Sequence, residues 1–238
     1  MAIITLTSDW GLSDYYIAAV KGAIYSASPD VTIVDVTHNI ARFDIRSAAF
    51  IIKNCYKNFP DGTIHILAVD TEESVDNPHV ALKMNGHYFI GTDNSIFSLI
   101  IGEEPYEAVI IDVVQDSDFF TFSTRDRFAK VAVMLHNGAS LADIGKPYAI
   151  KEKIEVKPSY GANFIHGVVI YIDAYENLVT NITKELFYQV CAGRNFTIKL
   201  CSGIYTLNKI RRSYQEVPEP DLLALFGLLI AYLPPFLA

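Results

Sequence analysis

Cysteine is scarce in this sequence: Cys55, Cys191 and Cys201 are the only three in 238 residues. An odd, widely spaced set offers neither a disulfide framework nor the paired spacing of a zinc or redox site, and points to a reducing, cytoplasmic setting. Positive charge is scarce too. Nineteen Lys and Arg stand against 27 Asp and Glu, for a net charge of −8 and a pI near 5.2. With no basic run, a nucleic-acid partner is not expected. The six histidines do not cluster, and no HExxH or HxxxH spacing occurs, so no metal is expected. The absence of GxGxxG and of a P-loop excludes ordinary dinucleotide and nucleoside-triphosphate chemistry. The longest uncharged stretch, LLALFGLLIAYLPPFLA at 222–238, has 17 residues and is interrupted by Pro234-Pro235. A bilayer needs ~20 apolar residues in a helix, so no membrane partner is expected. Met1 leads straight into a β-type run, which does not resemble a secretory leader.

What is present is an apolar-rich chain, 51% hydrophobic, that can bury a sizeable core. Ile3 to Thr7 is β-branched and reads as a buried strand. Asp14 is placed to cap a helix carrying Ile17, Val20 and Ile24. Thr32 to Val36 reads as a second strand, and Ile45, Ala48, Ala49, Ile52 and Tyr56 as a second helix ending before Pro60. Gly62 to Val69 is a third strand that delivers Asp70 to its exit. Val80, Leu82 and Met84, the turn Asn85-Gly86 and then HYFIG form a hairpin signal. A short helix over Asn94 to Ile101, a strand over Ala108 to Val113 and a helix over Asp126 to His136 follow. From about Gly145 the texture becomes rich in Lys, Pro and Gly, a linker over about 145–165. Short strand-like runs then follow (HGVVIYID, LVTNI, RNFTIKL, SGIYTL) without a long helical pattern. The predicted organisation is an N-terminal α/β domain over 1–150 and a smaller C-terminal β domain over 160–238.

Several stretches carry chemistry or turn structure. Asp9, before Trp10-Gly11, stands at a strand exit, where open α/β sheets bind ligands. A carboxylate there can accept both hydroxyls of a ribose diol, or simply satisfy turn N–H groups. Asp70-Thr71-Glu72-Glu73 is an acid–base site or a solvated loop. Gly91-Thr92-Asp93-Asn94-Ser95 reads as a helix cap. Thr121-Phe122-Ser123-Thr124-Arg125-Asp126 is an anion or water site before a helix, or a capping box with a surface ion pair. Asn177, Thr180 and Asn181 are unusual within a strand pair; they serve a ligand or cap a turn. His65 reads as a satisfied core residue and His38 as structural.

TSDWGLSDYYIAAVKG, DVTHNI, FPDGTIHILAVD, GTDNSIFS, FSTRDRFA and YIDAYENLVTNI occur in this order. As a set they resemble the S-adenosyl-L-methionine (SAM) hydroxide adenosyltransferase family, relatives of the SAM-dependent chlorinase and fluorinase. The resemblance covers residues 3 to 227. It implies an α/β domain, a C-terminal β-barrel-like domain, and a homotrimer with sites between neighbouring subunits. The implied reaction is displacement of methionine from the adenosyl 5′ carbon by hydroxide, or by halide in the relatives, with SAM as substrate and no cofactor. It further implies that Asp9 grips the ribose, that Tyr16 and Phe43 belong to the substrate site, Phe43 as a wall by the sugar, and that Phe122 lies beside the reacting carbon. Asp173 and Asn177 match positions that face the methionine amine and the adenine, in a neighbour's site.

The departures are equally specific. The family's hydrolytic members share an Asp–Arg–His set for the hydroxide. Asp70 matches its first member. The loop TEESVDNPH carries no arginine. Ser123 stands where the histidine is expected, and Thr124 replaces a glycine, so Asp70, Ser123 and Thr124 are the candidate catalytic residues. Anionic Glu72 and Glu73 are expected to repel hydroxide unless one is a base. The alternatives are a SAM or adenosine sensor without turnover, or an adenosyl enzyme with another nucleophile. After Gly227 the resemblance stops abruptly. That end reads as a truncation or shifted frame, whose apolar tail would be an aggregation or interface liability.

Overall fold

The computed structural model describes residues 2–115, 121–152, 156–200, 203–216, 222–226 and 230–232. The chain forms two compact units, Met1–Lys153 and Ile154–Ala238. In the first, the elements run β1 (Ile3–Ser8), α1 (Tyr16–Ala27), β2 (Thr32–Thr37), α2 (Ile45–Cys55), β3 (Ile64–Ala68), β4 (His79–Met84), β5 (His87–Thr92), α3 (Ile96–Ile101), β6 (Tyr106–Ile111), α4 (Ala129–His136), α5 (Leu141–Ile144) and β7 (Gly145–Pro147). The strands make one seven-stranded sheet in the order β2-β1-β3-β5-β4-β6-β7. β2, β1, β3 and β5 are mutually parallel, whereas β4 and β7 run against their neighbours.

The central strands are buried on both faces, as a parallel sheet covered by helices requires. Side chains alternate between two cores. Ile64, Ile66 and Ala68 join Ile4, Leu6, Val20, Ile24, Phe128 and Val131 on one face. Leu67 and Val69 join Ala48, Ile52, Tyr56, Phe89 and Phe97 on the other. α1 and α4 therefore cover one face, α2 and α3 the other. The β4–β5 hairpin turns at Asn85 and Gly86, with φ of 50° and 80°, the left-handed pair that a two-residue turn needs.

The chain leaving β1 crosses to β2 on one side, and the chain leaving β3 continues to β4 and β5 on the other. β1 and β3 are neighbours, with Ser8 opposite Ala68. Their outgoing loops thus part and open a crevice at the strand exits, the position where open α/β sheets bind ligands.

Two local expectations change. Asp14 does not cap α1: the cap position is Tyr15, with no side-chain bond. Gly145–Pro147, read as the head of a linker, is an edge strand against β6, and Tyr148 N donates to Ala108 O at 2.9 Å beyond it. Ile150 is buried in the same core.

The second unit contains β8 (Ser159–Tyr160), β9 (Ile165–His166), β10 (Val169–Ile172), β11 (Asn177–Thr180), α6 (Lys184–Cys191), β12 (Ile198–Leu200), β13 (Tyr205–Leu207), β14 (Ile210–Arg211), β15 (Ala224–Leu225) and β16 (Ile230–Tyr232). A five-stranded sheet runs β10-β11-β16-β15-β14, and β8-β9 and β12-β13 are separate pairs. α6, capped by Thr183, whose hydroxyl accepts from Leu186 N at 3.2 Å, is a helix that the strand-only reading omitted. β16 lies between β11 and β15, so this part of the C-terminal segment is sheet rather than a free tail. Residues 227–229 and 233–238, the rest of the segment read as a truncated or frame-shifted end, are outside the described residues. Among the described residues no helix is long and apolar enough to cross a membrane.

Candidate functional site

Three parallel strands end at one edge of the first unit's sheet, and each leads into polar residues: β1 into Asp9, β3 into Asp70, β5 into Asp93 and Asn94. Asp9 ties two loops together. Its Oδ2 accepts the Phe43 N–H at 2.8 Å, while Gly11 N donates to His38 O at 2.7 Å. Phe43 adopts φ 63° and is 70% exposed. The loop therefore presents an aromatic face to solvent beside the carboxylate, at a cost in backbone strain. His38 is buried, with Nδ1 2.7 Å from Ser8 Oγ and Nε2 3.1 Å from Asp35 Oδ1, which is a structural role.

Tyr16 opens α1, and its ring packs edge-on against Phe122 at 5.5 Å between centroids. Trp10 completes the group, 5.9 Å from Tyr16 and 5.6 Å from Phe122. The sequence reading took Trp10 only as part of a turn. The Arg125 guanidinium sits 5.0 Å from the Phe122 ring centre and pairs with Asp126. The pair is not the surface ion pair expected of this motif, because the Asp126 side chain is buried. No capping box accompanies it, because Ser123 makes no cap bond.

Ser123 and Thr124 are buried at the start of one π-helical turn, Thr124–Phe128. Among the described residues the buried Thr124 hydroxyl has no hydrogen-bond partner. Thr71, Glu72, Glu73 and Thr121 line one cavity of about 390 Å³. The residues following Asp70 and preceding Phe122 thus face the same space.

Asp70 follows β3 in the left-handed region, at φ 50°. Glu73 is not the free anion its sequence suggests: Arg127 Nη1 donates to its Oε2 at 2.7 Å. Arg127 also reaches His79 Nδ1 at 2.9 Å. Neither His79 nor Arg127 was singled out in the sequence. Burial pushes His79 below the ordinary imidazole range, and Arg127 adds to this against the opposing Thr71 carbonyl and Glu73. A neutral imidazole results. Among the described residues, no group of three or more His, Cys, Asp and Glu side chains is arranged to hold a metal.

Asp173 and Asn177 belong to the second unit, where they bond to each other. Asp173 Oδ2 accepts the Asn177 amide at 2.8 Å, and Oδ1 accepts the Asn177 and Tyr175 N–H groups at 2.9 and 2.8 Å. Desolvation works against the Asp173 carboxylate, yet these donors hold it below the usual carboxylate range. Among the described residues the buried Asn177 Oδ1 has no hydrogen-bond partner.

Comparison with known proteins agrees with this architecture. Residues 4–145 match the SAM hydroxide adenosyltransferase N-terminal domain and residues 167–229 its C-terminal domain. An (R)-S-adenosyl-L-methionine hydrolase of Methanocaldococcus jannaschii is 27% identical over 191 residues, covering 77% of this chain and 68% of that protein. A fluorinase of Actinoplanes sp. is 28% identical over 239 residues, covering 87% of this chain and 80% of that protein. The crystal structure of an uncharacterized conserved protein from Thermotoga maritima has the same fold, with a TM-score of 0.84 at 24% identity over 96% of this chain and 90% of the other. With both domains matched in order, the chain belongs to the SAM hydroxide adenosyltransferase family.

Proposed function

We propose that this protein cleaves SAM with water to adenosine and methionine. The observation that carries the reading is the pairing of two carboxylates at the β1/β3 switch point. Asp9 is locked to the Phe43 loop and Asp70 stands at the neighbouring exit. Asp9, with one oxygen engaged by the loop, accepts the ribose hydroxyls. Phe43, Tyr16 and Phe122 wall the nucleoside. Asp70 orients the attacking water, and Ser123 and Thr124 line its pocket.

The chemistry asks little of an acid. Water oxygen bonds to the 5′ carbon, the carbon–sulfur bond breaks, and its electron pair neutralises the sulfonium to give methionine. The water loses one proton, and Asp70 receives it. The leaving group needs no protonation, so alignment and exclusion of bulk water dominate the rate. The Arg127–Glu73 ion pair removes one of the two negative charges expected to repel the nucleophile. It also leaves Glu73 poorly placed to act as a base.

Asp173 and Asn177 face the methionine and adenine ends from a neighbouring subunit of a homotrimer. SAM is the partner; nucleic acid and membrane are not, and the setting is cytoplasmic. Incubation with SAM followed by chromatography tests the reaction. Adenosine and methionine in equal amounts, lost in Asp70→Ala, are expected. No product above background would refute it. A second reading, a SAM or adenosine sensor, is favoured by the neutral Ser123 hydroxyl where an imidazole is expected. Tight calorimetric binding of SAM without turnover selects it.

A further inference from the structure

Val69, Asp70 and Thr71 are consecutive, and side chains from elsewhere in the fold hold all three of their carbonyls. Asn94 Nδ2 donates to Val69 O at 3.1 Å and to Asp70 O at 2.8 Å. His79 Nε2 lies 3.0 Å from Thr71 O. Both donors are buried, His79 completely. Between them Asp70 is held at φ 50°. A non-glycine residue there costs of order 1–3 kcal/mol and persists only where its surroundings over-determine it.

The donors are themselves fixed. Asn94 Oδ1 accepts from Ile96 N at 3.2 Å, which orients its amide. A carbonyl only accepts, so His79 Nε2 must carry the hydrogen and Nδ1 the lone pair. Arg127 Nη1 donates to that lone pair at 2.9 Å and to Glu73 Oε2 at 2.7 Å. The Phe128 ring packs edge-on against the imidazole at 4.7 Å. Register delivers His79 to this place: it is the first residue of β4 and pairs with Thr92 at the exit of β5.

We infer that Asn94 and His79 are positioning residues for Asp70, gripping the backbone on both sides of it so that its carboxylate has one direction, and that Arg127 locks His79 in the tautomer this requires. The inference rests on the reading that Asp70 orients the attacking water. It also replaces a purely capping role for Asn94 with a second task.

The groups facing the imidazole are the Thr71 carbonyl, Arg127, Glu73 and the Phe128 ring. A proton on Nδ1 would confront the Arg127 donor. Removing Arg127 frees Nδ1 to take the hydrogen and turn it toward Glu73, 3.7 Å away, and the neutral imidazole then presents a lone pair to the Thr71 carbonyl.

Steady-state release of adenosine from SAM tests this, on variants whose folding is checked by circular dichroism. In Asn94→Ala and His79→Leu, kcat should fall roughly 100-fold, the scale of a misplacement near 1 Å, with KM for SAM little changed. His79→Gln, whose amide can still donate to Thr71 O, should recover most of the loss. Arg127→Met, which no longer holds the hydrogen on Nε2, should lower kcat, and in the His79→Gln background the same substitution should lower it less, because a glutamine amide has no tautomer to lock. If Asn94→Ala does not fold, the contrast between His79→Leu and His79→Gln carries the test. An active wild type with unchanged kcat in the folded variants overturns the inference. So does a loss of thermal stability without any change in kcat. A wild type that makes no adenosine overturns it together with the reading on which it rests.

Discussion

The Asp9 carboxylate holds the Phe43 backbone: Oδ2 accepts the Phe43 N–H at 2.8 Å, and Phe43 sits left-handed at φ 63°. One side chain thereby ties the loop after β1 to the loop after β2. It leaves an aromatic ring in solvent, where burial against a ligand has most to gain.

Asp9→Ala should weaken SAM binding by losing hydrogen bonds from an ionised group. Such bonds are worth about 1.5–3 kcal/mol, or roughly 10- to 150-fold in Kd. Calorimetric titration measures it, and an affinity equal to wild type would remove Asp9 from the site.

Trp10 is the only tryptophan in the chain and packs on Tyr16 and Phe122. Its emission should change when SAM or adenosine binds, and the signal should vanish in Trp10→Phe. Saturating ligand with a flat Trp10 spectrum would place the nucleoside elsewhere.

His65 is buried in β3, with Nδ1 2.8 Å from Thr5 Oγ1, and burial, aided by His87, lowers it to about 3 from 6.5. The unfolded chain therefore binds a proton that the fold excludes. The contribution is intact above pH 6.5 and declines as pH falls toward 3, by up to about 1.4 kcal/mol per pH unit. Denaturant midpoints at pH 7 and pH 5 should show this slope, and His65→Gln should flatten it. Equal slopes in the two proteins would refute the assignment.

Gly145 has no room for a side chain: a Cβ there would lie 1.7 Å from Ile110 O. Gly145→Ala should push β7 away from β6 and lower stability by about 1–3 kcal/mol, read as a lower thermal midpoint. A variant as stable as wild type would show that β7 is dispensable.

Most of the first unit was legible because its signals are local. β-branched runs bounded by turns become β1, β2 and β3, and Asn85-Gly86 can hardly be anything but a hairpin turn. Gly145–Pro147 was missed because Gly, Lys and Pro resemble linker chemistry, and only the free edge of β6 makes them a strand. α6 was missed because it is only eight residues long, and its stripe of Leu186, Phe187, Val190 and Cys191 is too short to stand out among the strand-like runs on either side. Tyr16, Phe43 and Phe122 were named as site candidates through resemblance, not through any pattern of their own. Asn94 was noticed but read as a cap, since nothing local says that its amide reaches back 24 and 25 residues to Asp70 and Val69.

By itself the sequence determined the α/β unit's elements from β1 to α4, the delivery of Asp9 and Asp70 to strand exits, and the family pattern. These depend on side-chain periodicity and turn chemistry within a few residues. The tertiary structure decided which charges meet. Arg127 neutralises Glu73 and fixes His79, 54 and 48 residues away, because strand order and helix phase bring them to one edge of the sheet. Electrostatic partners follow distance in space, and distance in space is a property of the whole fold.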